Sequence, residues 1–164
     1  MDAGASNDQV HGGSGNDDIH GDGGDDILHG GVGDDVLYGD GGADLLFGEA
    51  GTDTLTGGND NDRFAFRADS AFSNVDTVTD FNISAQEDML DISHILDGTG
   101  YEHGVDAVTD WVQIKTSGSD SVVKVDVTGS ATFGGGTQIA MLTGTTGLTD
   151  EAALVSSGNL LMAA

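Results

Sequence analysis

Apolar and acidic residues recur every nine positions through residue 65. Written in nines from Ala3, the sequence gives AGASNDQVH, GGSGNDDIH, GDGGDDILH, GGVGDDVLY, GDGGADLLF, GEAGTDTLT and GGNDNDRFA. The eighth position of each unit is always apolar: Val10, Ile19, Leu28, Leu37, Leu46, Leu55 and Phe64. The sixth position is always aspartate: Asp8, Asp17, Asp26, Asp35, Asp44, Asp53 and Asp62. A fixed short period with two invariant columns predicts a stacked repeat structure.

Each unit predicts a tight turn followed by a short strand. Glycines supply the positive φ angles of the turn. In strands such as DIH and ILH the middle side chain faces inward and its neighbours face outward. Two units then form one coil of a right-handed parallel β-roll, so that residues 18 apart are stacked. This arrangement predicts one aspartate column at positions 8, 26, 44 and 62 and a second column at positions 17, 35 and 53.

Stacked carboxylates need a cation between them. Adjacent strands lie about 4.8 Å apart, a separation at which like charges repel strongly. Calcium takes about 6–8 oxygen ligands and accepts backbone carbonyls, whereas magnesium requires a stricter octahedron and retains water. The alternative, that the aspartates only form solvated turns, explains neither their shared register nor the glycines. The spacing therefore predicts calcium between the coils.

The units resemble the GGxGxDxUx nonapeptide of the repeats-in-toxin (RTX) calcium-binding family. The resemblance implies about five ions, each between loops 18 residues apart. The lower loop would provide the carbonyls of positions two and four and its aspartate, and the upper loop those of positions one and three and its aspartate. In addition to the aspartates, four of the implied sites use carbonyls of Gly13, Gly15, Gly30 and Val32; of Asp22, Gly24, Gly39 and Gly41; of Gly31, Gly33, Gly48 and Ala50; and of Asp40, Gly42, Gly57 and Asn59.

A fifth implied site joins Gly4, Ser6 and Asp8 to Gly21, Gly23 and Asp26. The sequence departs from the family pattern at several turn positions, where the expected glycine is replaced: Ser6, Asp22, Asp40, Glu49 and Asp60. Backbone carbonyls survive such changes, but we expect the turn conformations there to be less secure. The first and last sites are therefore the weakest.

The remainder of the chain predicts ordinary strands. Candidate strands are DTVTDF (76–81), MLDI (89–92), WVQIKT (111–116), SVVKVDVT (121–128) and TQIAMLT (137–143). Gly-rich turns separate the last three, and TDEAALVSSG predicts a short helix with Thr149 as its N-cap. We therefore expect an all-β fold with a calcium-binding roll at 3–65 and an antiparallel β cap with a short C-terminal helix at 66–164.

Composition excludes several functions. The formal net charge is −25, from 29 acidic and 4 basic residues, which argues against nucleic-acid binding and against docking to an anionic membrane. There is no cysteine, and no apolar run approaches the ~20 residues of a membrane span. The first residues lack the basic and apolar regions of an N-terminal signal. The repeat begins directly after Met1, which predicts that the chain is part of a longer protein.

The C-terminal half resembles a second group of sequences. VDTVTDFNISAQEDMLDISHIL is similar to the segment after the repeats in serralysin-type proteases and large RTX adhesins. DWVQIKTSGSDSVVKVDVTG, GGGTQIAMLTGTTGLT and LVSSGNLLM are similar to the C-termini of giant adhesins exported by type I machinery. This resemblance implies an uncleaved C-terminal secretion signal and a secreted or cell-surface location. Asp76, Asp80 and Asp88 form either a further calcium site at the junction or ordinary turns.

No catalytic motif is present, since HExxH and GxSxG are both absent. We therefore expect a non-enzymatic module: the calcium-folded C-terminal end of a secreted adhesin. The alternative is the calcium-binding end of a secreted RTX protease or lipase. A module like those of alginate epimerases is a third possibility, disfavoured because four basic residues give a polyanion little to bind. We expect His11, His20 and His29 to be surface residues of strands and not the ligands of a transition metal.

Overall fold

The computed structural model describes residues 1–67, 74–83, 88–96, 112–126, 136–145, 148, 154 and 160–161. The repeat region forms eight short strands, each beginning directly after a sixth-position aspartate except the first. The strands are β1 (Asp2–Gly4), β2 (Gln9–Ser14), β3 (Asp18–Asp22), β4 (Ile27–Val32), β5 (Val36–Gly41), β6 (Leu45–Ala50), β7 (Thr54–Asn59) and β8 (Arg63–Ala65).

Successive strands alternate between two parallel sheets. The odd sheet contains β1, β3, β5 and β7 in that spatial order, and the even sheet contains β2, β4, β6 and β8. Leu28 is paired with Leu46 in the even sheet and Leu37 with Leu55 in the odd sheet, so each strand lies on the strand 18 residues away. The predicted parallel β-roll is confirmed.

The core of the roll is the eighth repeat position. Six of the seven side chains there are completely buried: Ile19, Leu28, Leu37, Leu46, Leu55 and Phe64. Val10, at the N-terminal end, is only partly buried against them. One apolar residue per strand therefore fills the space between the two sheets. This thin core limits the hydrophobic stabilisation of the roll.

The rest of the chain extends both sheets. Its elements are β9 (Asp76–Val78), β10 (Met89–Asp91), the single helical turn α1 (Ser93–Leu96), β11 (Val112–Ser117), β12 (Asp120–Val125), β13 (Thr137–Leu142) and β14 (Leu160–Leu161). In the odd sheet β9 lies on β7 and is followed by β13, β12 and β11. In the even sheet β10 lies on β8, and β14 forms the far edge.

The antiparallel part of the cap consists of the β11–β12 and β12–β13 pairs. It joins the roll through a parallel pair, β13 with β9, so that one eight-stranded sheet runs from the first repeat into the cap. The turn α1 was not predicted. The helix predicted from Thr149 lies outside the described residues, apart from Leu154. No described helix has the length and hydropathy to cross a membrane.

Four of the five turn positions that depart from the glycine pattern keep a positive φ angle, and Ser6 is the exception. Asp22, Asp40, Glu49 and Asp60 all have positive φ angles, between 66° and 73°. Aspartate enters this left-handed region more readily than most residues, and glutamate at position 49 is the costliest of the four. The expected loss of regularity is therefore not seen at these four positions, and the backbone accepts some local strain instead.

Candidate calcium-binding sites

The aspartates of the roll form two hydrogen-bonded columns. In each column the backbone N–H of one aspartate donates to Oδ1 of the aspartate 18 residues later. The N–H of Asp17 bonds Asp35 at 2.8 Å, and the N–H of Asp26 bonds Asp44 at 2.8 Å. The other three repeat bonds, at 2.7–3.0 Å, join Asp8 to Asp26, Asp35 to Asp53 and Asp44 to Asp62. One oxygen of each carboxylate thus holds the coil before it.

The second oxygen of these carboxylates is different. Among the described residues, six Oδ2 atoms are buried and have no hydrogen-bond partner: those of Asp17, Asp26, Asp35, Asp44, Asp53 and Asp62. A buried polar atom without a partner costs free energy, and an unpaired carboxylate costs most. Six such atoms at the same position in six successive turns indicate that these oxygens are ligands of a cation.

Burial raises the pKa of these carboxyl groups. It raises the pKa of Asp44 and Asp53 to about 6 and that of Asp62 to about 7, against the opposing effect of the backbone hydrogen bond. The pKa values of Asp26 and Asp35 are also raised by burial, and neighbouring aspartates add to the effect. Without a cation, ionisation of the columns is opposed at near-neutral pH.

Carbonyl oxygens converge on the same spaces. A Cβ atom on Gly12 would lie 2.5 Å from the carbonyl oxygen of Gly30 and 2.7 Å from Oδ2 of Asp17. A Cβ atom on Gly21 would similarly approach the Gly39 carbonyl and Asp26 Oδ2, at 2.7 and 2.5 Å. Glycine at the first turn position therefore keeps side-chain atoms out of the point where a carboxylate and a carbonyl of the next coil come together. Oxygens of these two kinds are the ligands that calcium prefers.

The predicted carbonyls of positions two and four face the coil above. A Cβ on Gly31 would contact the Gly13 carbonyl oxygen, and one on Gly33 would contact that of Gly15. The position-three carbonyls have a further partner, because Val32 accepts a hydrogen bond from the N–H of Gly15 at 2.8 Å. Gly41 and Ala50 accept the equivalent bonds from Gly24 and Gly33. A carbonyl has two lone pairs, so one remains for a cation.

The sites at the two ends of the roll differ from the central ones. Asp8 is half-buried, and its Oδ2 accepts a hydrogen bond from the Ser6 hydroxyl at 3.0 Å. At the other end, Asp62 keeps a buried Oδ2 without a partner even though Asp60 replaces a turn glycine. The predicted weakness is therefore visible at the first site, where the carboxylate already has a donor.

No group of three or more His, Cys, Asp or Glu side chains suited to a metal is found in the described ranges. The sites that the RTX resemblance implies use two carboxylates and several backbone carbonyls instead of a side-chain cluster. Of the three histidines nine residues apart, His11 and His29 lie in β2 and β4 of the even sheet, whereas His20 lies in β3 of the odd sheet.

Two features of the turns were missed in the sequence. The fifth position forms its own ladder, in which Asn16 and Asp34 accept backbone N–H groups of the next coil at 3.1 and 2.9 Å. In addition, acids at the second position bond histidines 20 residues earlier: His20 to Asp40 at 3.1 Å and His29 to Glu49 at 2.8 Å. The recurring N/D at position five and the shared 20-residue interval were the available signals.

Comparison with known families agrees with this geometry. The family model for the RTX calcium-binding nonapeptide repeat matches residues 2–37 and 29–64, which together span the eight repeat strands. The chain belongs to the RTX family. Its repeats bind calcium, and the buried Oδ2 atoms and converging carbonyls fit that ion.

Solved structures similar to this RTX chain extend beyond the repeats. The AlgE6R2 subunit of the Azotobacter vinelandii mannuronan C5-epimerase is 32% identical, with a TM-score of 0.53 over 96% of this chain and 89% of that one. The AlgE6R3 subunit of the same enzyme is 27% identical, with a TM-score of 0.41 over 97% and 80% of the two chains. A search of curated proteins gives no match.

Proposed function

We propose that this RTX chain is a folding module that orders itself only when calcium is bound, and that it belongs to a secreted bacterial protein. The observation that carries the proposal is the set of buried Oδ2 atoms without hydrogen-bond partners in six successive turns. Bound calcium supplies the positive charge that these atoms lack and takes them as oxygen ligands.

Repulsion between the stacked carboxylates indicates that the roll is unstable without the ion. Two ionised carboxylates about 4.8 Å apart repel by about 3 kcal/mol at an effective dielectric constant of about 20. This repulsion recurs along both columns, while the core gains only one buried apolar side chain per strand. By mass action, each site held at ten times its Kd adds about 1.4 kcal/mol to the free energy of unfolding. The summed binding free energy of several such sites therefore determines whether the roll folds.

A calcium titration followed by far-UV circular dichroism tests this proposal. We expect a disordered spectrum in excess chelator and a cooperative gain of β structure as free calcium rises into the millimolar range. Magnesium at the same concentration serves as the control and should not replace calcium, because it keeps its water and demands a regular octahedron. A folded spectrum in chelator would contradict the proposal.

The ligand assignment is the one that the RTX resemblance implies. Each central ion would be bound by the sixth-position aspartates of two stacked coils, with carbonyls of positions two and four below and positions one and three above. For Asp17 and Asp35 these carbonyls belong to Gly13, Gly15, Gly30 and Val32. The convergence of Asp17 Oδ2 and the Gly30 carbonyl supports this set.

The finer proposal concerns the parent protein. We propose that the chain is the C-terminal end of an adhesin and carries a type I secretion signal, because its second half resembles the ends of such adhesins. In the folded chain Leu160 of β14 is 2% exposed and paired with Leu90 of β10. A C-terminal signal is then accessible to the export machinery only before the roll folds, which suits export at low calcium.

Export of a reporter tests the secretion signal. The reporter is fused to the N-terminus of the whole chain and produced with a type I exporter. We expect it in the medium, and we expect removal of residues 146–164 to keep it inside the cell. The Asp35→Asn variant is the matched control, because it impairs calcium folding outside the cell but leaves the C-terminus intact. Equal secretion with and without residues 146–164 would contradict the proposal.

A second candidate is the calcium-binding end of a secreted enzyme. The structural likeness to AlgE6R2, at 32% identity, favours this class over an unrelated calcium module. The net charge of −25 argues against binding of a polyanion such as alginate. Calorimetry with alginate oligomers in calcium separates the cases: tight binding supports an epimerase-like module, and no binding leaves the adhesin or a protease or lipase. The coding sequence upstream then distinguishes tandem adhesive domains from a catalytic domain.

A further inference from the structure

The two carboxylate columns continue after the last repeat. The N–H of Asp53 donates to Oδ1 of Asp76 at 3.0 Å, and the N–H of Asp62 donates to Oδ1 of Asp88 at 3.1 Å. These bonds have the same donor, acceptor and length as those inside the repeats. The sequence separations are 23 and 26 residues instead of 18, and the nonapeptide pattern does not reach either residue.

The strands confirm that Asp76 and Asp88 take the place of repeat aspartates. Thr77 of β9 is paired with Thr54 of β7, and Met89 of β10 is paired with Arg63 of β8. Asp76 is therefore stacked on Asp53 and Asp88 on Asp62, at the start of the next strand of each sheet. Asp76 is 6% exposed and Asp88 is 1% exposed, so both carboxylates are as buried as those of the roll.

The repeat aspartate stacked below each of these two positions has one carboxylate oxygen available for a cation. Asp53 Oδ2 and Asp62 Oδ2 are buried and have no hydrogen-bond partner in the described part of the chain. In the roll the equivalent atom lies toward the following coil, because Asp17 Oδ2 meets the carbonyl of Gly30, which is in the coil above. Asp53 and Asp62 occupy the equivalent position in the last two turns, and the next carboxylates of their columns are Asp76 and Asp88.

Charge is concentrated at this junction. Burial raises the pKa of Asp76 to about 7, and Asp53 adds to the shift. Burial likewise raises the pKa of Asp62 to about 7, and Asp88 is the largest contributor among its charged neighbours. The junction thus holds two pairs of buried acids, one pair in each column. No basic side chain contributes to the pKa shift of Asp62 or of Asp76.

We propose that calcium binding extends one site beyond the repeats in each column, between Asp53 and Asp76 and between Asp62 and Asp88. The proposal rests on calcium binding by the repeats and adds two sites outside the region that the nonapeptide defines. Five stacked aspartate pairs lie within the repeats and two more at the junction. The cap would then be joined to the roll by ions as well as by strand pairing.

Asp80, the third acid of the junction, has a different role. Its Oδ1 accepts the N–H of Gly57 at 3.0 Å, and its Oδ2 accepts that of Gly58 at 2.8 Å. It therefore holds the last repeat turn by hydrogen bonds. Asp88 uses Oδ2 in a similar way, accepting the N–H of Asn82 at 2.8 Å. Asp88 is accordingly the end of its column.

Native mass spectrometry of the whole chain at saturating calcium counts the ions. We expect seven ions in the wild type, and one fewer in Asp76→Asn and in Asp88→Asn. Asparagine keeps the Oδ1 acceptor for the preceding N–H and removes the charge, so the strand pairing is retained. Asp91→Asn is the matched control: Asp91 is a buried acid of the same junction, 8% exposed, but it is bonded to Ser93 and is not in either column. It should bind as many ions as the wild type.

The outcomes separate this proposal from the proposed function. A wild-type count of five or fewer overturns the two junction sites while calcium folding stands, and at six ions the two column variants decide whether a junction site or the weak first site is empty. An unchanged count in either column variant overturns the site that it removes. A wild type that binds no calcium overturns the proposed function itself. If a variant does not give the wild-type far-UV spectrum in calcium, its ion count is set aside and the wild-type ion count tests the proposal.

Discussion

At the scale of the residue, the two oxygens of the sixth-position aspartates from Asp26 to Asp62 have separate tasks. Oδ1 accepts the N–H of the coil before it, which fixes the register of stacked turns, while Oδ2 is left buried and open. Aspartate suits both tasks because it is short, acidic and compatible with a turn. The result is a turn that is well defined by hydrogen bonds but unfavourable in charge until a cation is present.

Replacing Asp35 by asparagine should remove two ions. The carboxylate belongs to the predicted sites with Asp17 and with Asp53, and asparagine keeps the hydrogen bond from the Asp17 N–H. At calcium ten times above Kd, two lost sites lower the free energy of unfolding by about 3 kcal/mol. Urea denaturation in calcium measures the loss. Asp34→Asn is the control, since Asp34 is exposed and accepts only the Thr52 N–H. Loss of one ion or none in the Asp35 variant would refute the stacked arrangement.

Adding one methyl group at Gly12 should block a site. The Cβ atom would enter the space between Asp17 Oδ2 and the Gly30 carbonyl, so Gly12→Ala should cost one ion and about 1.4 kcal/mol at ten times Kd. Calorimetric titration gives the stoichiometry. Gly23→Ala is the matched control, because a Cβ there has nothing within 4 Å and alanine keeps the Gly23 carbonyl that the fifth implied site would use. Equal ion counts in the two alanine variants would argue against a site at Gly12.

At the scale of the element, the repeat strands could be predicted because period and burial agree. Every strand from β2 to β8 contains an eighth-position apolar residue, and the 18-residue stacking follows from two units per coil. The pairing of β9 with β7 and of β10 with β8 could not be predicted, since spacings of 23 and 26 residues break the period. The parallel β9–β13 pair was also missed, because alternation in a strand shows which face is buried but not which strand is its neighbour.

The same argument applies to the candidate sites. The aspartate columns were predictable from identical residues at identical intervals. The involvement of Asp76 and Asp88 was recognised only as one of two alternatives, since acids near strand ends are common in turns. The division of labour between Oδ1 and Oδ2, and the fifth-position ladder beside it, depend on atomic positions that a residue pattern does not define.

The last strand should stabilise the far edge of the even sheet. Leu160 of β14 is 2% exposed and lies on β10, so Leu160→Ala should lower the free energy of unfolding in calcium by about 2–5 kcal/mol. Thermal or urea denaturation measures the change. Val32→Ala removes an apolar side chain that is 62% exposed and should change stability by less than about 0.5 kcal/mol. Similar stabilities for the two variants would show that β14 does not support the sheet.

At the scale of the whole molecule, charge and connectivity act together. The chain has a net charge of −25, and the interior aspartates are a large part of it. The odd sheet runs from the first repeat into the antiparallel cap without interruption, and the even sheet runs from β2 to β14. Neutralising the columns therefore stabilises the cap along with the roll. We expect one cooperative transition with calcium, because neither sheet has a break at the end of the repeats.

The calcium-free chain should become more stable as the pH falls. Burial raises the folded-state pKa of Asp44 and Asp53 to about 6 and of Asp62 and Asp76 to about 7, from 3.8. Between pH 7 and pH 4 the folded chain therefore binds more protons than the unfolded chain, so stability rises as pH falls through this window. Calcium competes with these protons for the same carboxylates, so the calcium affinity of the folded chain should fall with pH, while the calcium concentration needed for folding should not rise. Denaturation and calcium titrations at pH 5, 6 and 7.5 check both trends.

The central claim is that buried carboxylates in successive coils are held together by calcium. A crystal of the chain grown in calcium, with anomalous data collected at long wavelength, tests it most directly. The account predicts anomalous peaks between successive aspartates of each column, with one at Asp17 and Asp35 and one at Asp26 and Asp44. Folded coils with no anomalous density between these carboxylates would contradict it.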